Sequence, residues 1–388
     1  MLAGSGRRMT AAAIACCVVS ACESPVPFYP PGEGPPDDPV IGLGGPAPVA
    51  VATRPRPTAE PPTAPPDVYA ATRAGVLSPA IRALPPRLYV PNAATGAVDV
   101  LALPGGRLVG RHPVPGGRRG RVVPSWNLTW LWIVGRDGLT PVNARSGRRG
   151  RVRPVPRVKG LYFAGHGRDA VTVTARSVVF RHPVTMRARA ALRLPCTGTP
   201  HADLSADEDV LLLSCVRPGR LVRIDVARRV ATGVLTLPAG SHPLDVRLSP
   251  DGSLFYVADP VKGGVWLVDA AGLRTTGFIP TGPGAHSLLP SRDSRSLHVL
   301  GDGSLTTLDV ATRRVTSRRR LPYDDASAPA GLTSDGTALW LTAPGRVYAF
   351  SPRTGRPTRT LPVTGRPANA LLYPQPAHHS LGGTNRFR

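Results

Sequence analysis

The sequence predicts an all-β chain: a β-propeller of seven four-stranded antiparallel blades, closed by a C-terminal strand and preceded by an export signal and a Pro-rich linker. Three observations predict it. Residues 240–280 hold four short apolar or alternating runs, LDVRLS, LFYVAD, VWLVDA and a last one ending at Ile279, separated by turn signals. That unit recurs along the chain with a period near 41.5 residues. A strand-like segment at 365–374, GRPANALLYP, matches SHPLDVRLSP and supplies the first strand that the N-terminal unit lacks.

Composition agrees. The 388 residues include 46 Pro and 42 Gly, and no long amphipathic helical pattern occurs. The net charge is +24, carried almost wholly by Arg, since Lys159 and Lys262 are the only lysines. A surface so cationic attracts phosphate, acidic headgroups, anionic wall polymers and nucleic acid, although a GC-rich genome also favours Arg codons.

Residues 1–21 read as a lipoprotein signal peptide. Arg7 and Arg8 precede an apolar run at 10–19 that is too short to span a bilayer, and Val19-Ser20-Ala21-Cys22 resembles a bacterial lipobox. The resemblance implies cleavage before Cys22, lipidation of its thiol with diacylglycerol and a fatty acyl chain such as palmitate, and a place on the extracytoplasmic face of the cell membrane. Residues 22–83 follow as a disordered tether. Its part from 23 to 66 carries 15 prolines, and extended chain of about 3.1 Å per residue could hold the next domain up to roughly 100 Å from the membrane. The tether has more acidic than basic residues over 23–66, so the positive excess belongs to the propeller domain, 84–388.

A residue that ends each third strand and begins a turn counts the blades: Ala102, Asn143, a member near Pro183, Asp225, Asp269, Asp309 and Ser351. Blades are expected at 84–116, 118–155, 157–195, 197–238, 240–281, 283–322 and 326–363. Pro367 aligns with Pro243 and Pro374 with Pro250, which places the closing strand and removes two open sheet edges. The Pro243 and Asp251-Gly252 spacing, the strands RLYVPN and LFYVAD, and the turn Thr354-Gly355-Arg356 resemble the YVTN-type, YncE-like β-propeller repeat family over about 85–388. The resemblance implies the propeller architecture and, more often than catalysis, a binding role. YVTN itself occurs here only as LYVPN and FYVAD.

Cys196 and Cys215 are the two thiols left in an exported domain, and the hairpin of blade four brings them together as a disulfide. His201, His242 and His286 begin first strands, beside Asp203, Asp245 and Asn369. Such a ring could line a ligand channel or hold a divalent metal, as in lactonase-like and lyase-like propellers. Its members are out of register with one another, and Glu208 is the only glutamate in the domain. No catalytic residue is therefore assigned, and no cofactor beyond that metal is expected. Asp251-Gly252 and Asp335-Gly336 read as type I′ hairpin turns.

Arg148, Arg149 and Arg151, Arg228 and Arg229, and Arg318, Arg319 and Arg320 fall in the last turn or outermost strand of their blades. They predict anionic-surface patches on the circumference. The five tryptophans read as core rather than as stacking platforms, which disfavours single-stranded DNA. The expected function is a monomeric, membrane-tethered binding module that meets an envelope protein or anionic polymer. A metal-dependent channel enzyme and a DNA-binding Arg surface are the alternatives.

Overall fold

The computed structural model describes residues 67–117, 120–198, 200–321, 331–332, 338–368, 370–383 and 385–388. Cys22, Asn369 and Asp335-Gly336 lie outside them, as does most of the tether. The described chain forms seven antiparallel sheets that match the expected blades. In blade five the strands Val246–Leu248, Leu254–Asp259, Gly264–Asp269 and Thr275–Pro280 pair in sequence order from the innermost outward. In blade one Leu371–Tyr373 supplies the innermost strand against Arg87–Asn92, with Leu372 opposite Leu88 as Leu248 is opposite Phe255. The proline alignment therefore predicted the closing register.

Two blades depart from four regular strands. Blade two has three, Arg121–Pro124, Trp130–Val134 and Leu139–Asn143, and its fourth position is held by the bridges of Val142 to Arg149 and Leu139 to Arg153. Blade three, Gly160–Ala164 through Ala188–Arg193, carries two additional inner strands, Ser380–Gly382 and Arg386–Phe387.

Burial follows position in the blade. A second strand is flanked by sheets on both faces, so LFYVAD is buried throughout, whereas the outermost VATGVLT is mostly exposed. The core lies between neighbouring blades: Val171, Phe180, Leu211, Leu213 and Val222 form one such layer across blades three and four. The third-to-fourth turn repeats one geometry seven times. A left-handed residue, from Gly106 and Gly147 through Met186, Arg229, Leu273 and Arg313 to Gly355, follows the ruler residue by four positions. In blade three the ruler residue is His182 rather than Pro183. Its Nδ1 accepts the N–H groups of Val184 and Thr185, the part that Asp309 Oδ1 plays for Thr312.

The segment 67–83 is not tether. Tyr69 is buried and donates its hydroxyl to Leu248 O at 2.9 Å, Val68 N–H donates to Pro250 O, and Ile81 is fully buried beside blades one and two. These apolar anchors follow directly on a Pro-rich stretch and belong to no repeat, so they did not stand out in the sequence. Asp251-Gly252 also differs from a type I′ turn, because only Gly252 has positive φ, at +73°, and Ser249 Oγ is tied to Asp251. Trp130 is 37% exposed, unlike the buried Trp132 and Trp340. Cys196 and Cys215 form the expected disulfide, with Cα atoms 5.3 Å apart.

Two stability tests follow. Loss of the disulfide in a Cys196→Ser/Cys215→Ser protein should cost about 3 kcal/mol, the scale for a loop of this size, and an unchanged denaturation midpoint would contradict it. His298 is buried with Nδ1 3.1 Å from Thr307 Oγ1, and burial pushes its pKa down to about 4. The unfolded imidazole takes up a proton near pH 6.5 that the folded one refuses. Stability should therefore fall as pH drops from 6.5 towards 4, and thermal melts of His298→Gln should show a shallower fall.

Candidate functional site in the central channel

The first strands ring the channel, and among the described residues each except that of blade three has one edge with no sheet partner. Side chains of the preceding blade satisfy part of that edge. The Tyr162 hydroxyl accepts Ala202 N–H at 3.0 Å, Asp203 Oδ2 accepts Leu248 N–H at 3.0 Å, and Asp245 Oδ2 accepts Leu288 N–H at 3.0 Å. These bonds tie blades three to four, four to five and five to six.

The C-terminal residues provide the complementary half. After Tyr373 the chain turns through the buried Gln375 and forms a short hairpin, Ser380–Gly382 with Arg386–Phe387, on the inner edge of blade three. Arg386 Nη2 lies 2.5 Å from Asp245 Oδ1 and donates to Val246 O at 2.9 Å; its guanidinium also sits over the Tyr162 ring. Arg388 donates to the carbonyls of Leu204 and Ser205. Arg247, buried opposite, donates to Leu288 O and Asn385 O. Two carboxylates and three guanidiniums thus form a buried, ion-paired polar ring with an excess of positive charge. Burial alone would raise the Asp245 pKa, but Arg386 and Arg247 hold it far below the carboxylate range.

A second contact anchors this hairpin. Glu208, in the blade-four turn, is 2% exposed and accepts His166 N–H at 2.8 Å, while His379 Nε2 lies 2.8 Å from its Oε1. The Trp126 ring stacks on His379 with centroids 4.9 Å apart. Burial would push the Glu208 carboxyl up, but His379 and the His166 N–H bring it below its ordinary value.

The sequence-predicted channel residues part company here. Asp203 and Asp245 do face the channel, bound to the chain's own arginines. His201 Nδ1 is 3.7 Å from Asp245 Oδ1, and burial pushes its imidazole down against that pull. His242 uses its backbone N–H on Asp259 Oδ2, and His286 Nδ1 sits 2.8 Å from Gly284 O. Among the described residues no three His, Cys, Asp or Glu side chains are placed to share a metal ion. The mismatch in register is visible in the pairing: Ala202 is opposite Leu213 as Val246 is opposite Val257, so His201 occupies the position of Asp245.

Of the rim arginines, Arg148, Arg149, Arg151, Arg318, Arg319 and Arg320 are exposed. Arg228 is exposed 3.9 Å from Asp225. Arg229 differs: with Arg189 it grips the buried Asp169, at 3.1 and 2.7 Å, and joins blades four and three. Sequence reasoning missed the channel hairpin, because a non-repeating tail offers no ruler. Its only signal is Gly382-Gly383 followed by the alternation Arg386-Phe387-Arg388.

No protein-family model matches the sequence, and no curated protein matches it. Solved structures share its fold. A functionally unknown protein from Desulfotomaculum acetoxidans is 12% identical with a TM-score of 0.62, over 73% of this chain and 98% of that one. Hydrazine synthase from Kuenenia stuttgartiensis is 14% identical with a TM-score of 0.54, over 69% and 90%. The Cps50 (Swd1) β-propeller domain of Myceliophteria thermophila is 13% identical with a TM-score of 0.54, over 63% and 86%. At such identities the likeness is one of fold alone.

Removing one partner of a buried ion pair leaves the other charge uncompensated. Arg386→Met should therefore destabilise the domain by about 3–5 kcal/mol, whereas Arg318→Ala should stay within about 0.5 kcal/mol. Equal denaturation midpoints for the two variants would refute the structural role of the hairpin.

Proposed function

We propose that the chain is a membrane-tethered, extracytoplasmic binding module that engages anionic material of the cell envelope through its rim. The lipobox-like string ending at Cys22 supports lipid anchoring, and a disulfide suits an oxidising compartment. The seven-bladed fold supports a binding role in general. One observation carries the choice of partner. Arg314, Arg318 and Arg319 project from the outermost strand of blade six, and none has an acidic partner among the described residues. The channel carboxylates, by contrast, are occupied internally, which turns attention to the outside.

A rim of this kind would act as a field rather than a pocket. Each arginine near an anionic surface contributes about 1 kcal/mol, screened within a Debye length of about 8 Å at physiological salt. Weak individual contacts then add up on a polymer or a headgroup layer. Tethering raises their effective concentration further.

The test uses the chain released from the membrane by Cys22→Ala and vesicles of phosphatidylglycerol or phosphatidylcholine. Sedimentation should find binding to the anionic vesicles only, declining steeply from 50 to 300 mM salt. Arg314→Ser/Arg318→Ser/Arg319→Ser should weaken it about 100-fold. Salt-insensitive binding, or equal binding to both lipids, would overturn the rim reading. For the anchor, the unsubstituted chain should partition into detergent and Cys22→Ala should not.

A further inference from the structure

The seam between blades three and four opens into a cleft that the rim reading does not use. Its volume is about 820 Å³, within the range of small-ligand sites. Three guanidiniums reach it from three separate segments. Arg176 stands in the second-to-third turn of blade three, Arg193 ends that blade's outermost strand, and Arg217 stands in the second-to-third turn of blade four. Ser177 and Thr197 also line it, and no carboxylate is among the described residues that do.

The walls are fixed before any ligand arrives. Thr197 and Arg217 exchange both backbone hydrogen bonds, at 3.0 and 3.2 Å. Leu194 N–H donates to Arg176 O at 2.8 Å. The Cys196–Cys215 disulfide ties the connecting segment to the second strand of blade four. Such a frame pays little ordering entropy on binding.

Charge pairing on the same seam sharpens the contrast. Farther along it, Arg189 and Arg229 are neutralised by the buried Asp169. Arg176, Arg193 and Arg217 make no ion pair with an acidic residue among the described residues, so their charge is free to meet an anion from outside. Guanidinium forks match phosphate oxygens in shape and charge, two N–H donors at a time. The cleft is larger than a single phosphate.

We infer that this cleft is a binding site for a phosphate-bearing anion with two or more negative charges, held by Arg176, Arg193 and Arg217. The site deepens the anion-binding reading and rests on it for its chemistry, but it is separate from the rim strand of blade six. The shared feature recognised is a pair of phosphoryl groups, whether on a free polyphosphate or on neighbouring lipid headgroups.

The experiment is titration calorimetry of the chain carrying Cys22→Ala with inorganic pyrophosphate, beside the vesicle assay described above. One saturable site is expected. Arg176→Gln/Arg193→Gln/Arg217→Gln should weaken it at least tenfold, and the blade-six triple variant should leave it unchanged. The single variant Arg193→Gln, on an exposed strand end, guards against misfolding and should weaken binding on its own by several-fold. Pyrophosphate binding assigns the site to free or polymeric phosphate. Vesicle binding that depends on the cleft arginines, without pyrophosphate binding, assigns it to headgroups. Equal losses in the cleft and blade-six variants would mean diffuse charge attraction and would overturn the cleft. No saturable pyrophosphate binding together with vesicle binding indifferent to the cleft arginines would overturn it too, leaving the rim reading to stand or fall on its own variant.

Discussion

The inner edge of a propeller is its weakest constraint. Every first strand offers a row of N–H and C=O groups to the axis, and among the described residues only that of blade three has a neighbouring strand there to pair some of them. This chain meets the demand with opposite charges. Asp203 and Asp245 take N–H groups of the next blade, and Arg386, Arg388 and Arg247 give donors to the carbonyls. The charges then neutralise one another, as in Arg386 with Asp245. The blades, the tail and the axis are therefore one electrostatic unit, and the ring closes around it.

The periodic part of this architecture was legible in the sequence. Turn residues such as Asp225, Asp269 and Asp309 mark it because in those blades a carboxylate oxygen caps the same tight turn. The closing strand was legible too, through Pro367 and Pro374. What escaped was whatever occurs once. His182 does an aspartate's work with a ring nitrogen, one residue before the Pro183 to which the period pointed. Tyr69 and Ile81 bury themselves from within a Pro-rich approach, and no period announces them. Glu208 read as a turn residue, yet its partners lie in blade three and in the C-terminal tail.

The candidate channel site shows the same division. Sequence position brought the histidines and aspartates to the right end of the right strands. It could not tell that the acids were already spoken for, because Arg386 and Arg388 are more than a hundred residues away. Equivalent positions also exchange chemistry freely. The last residue of the second strand is Asn92 in blade one, Asp259 in blade five and Cys215 in blade four. Asn92 and Asp259 accept N–H groups of the preceding connector, from Arg366 and His242, while Cys215 reaches its connector through a covalent bond. One mechanical task, holding a blade to the strand that leads into it, is done by an amide, a carboxylate and a disulfide.

The tail carries one more meaning. Residues 371–373 complete the first blade, and the hairpin of Ser380–Gly382 with Arg386–Phe387 lines the inner edge of blade three, so the ring is locked by contacts between distant parts of the chain. Blade one has three strands of its own, ending at Pro113, and takes its fourth from more than 250 residues further along the chain. Its closure is a contact of very long sequence separation, slow to form and costly in chain entropy. Neither segment can satisfy its sheet edge until the other has been brought alongside it. Hairpins within a blade can form locally, but the circle needs both sides of that distant pairing.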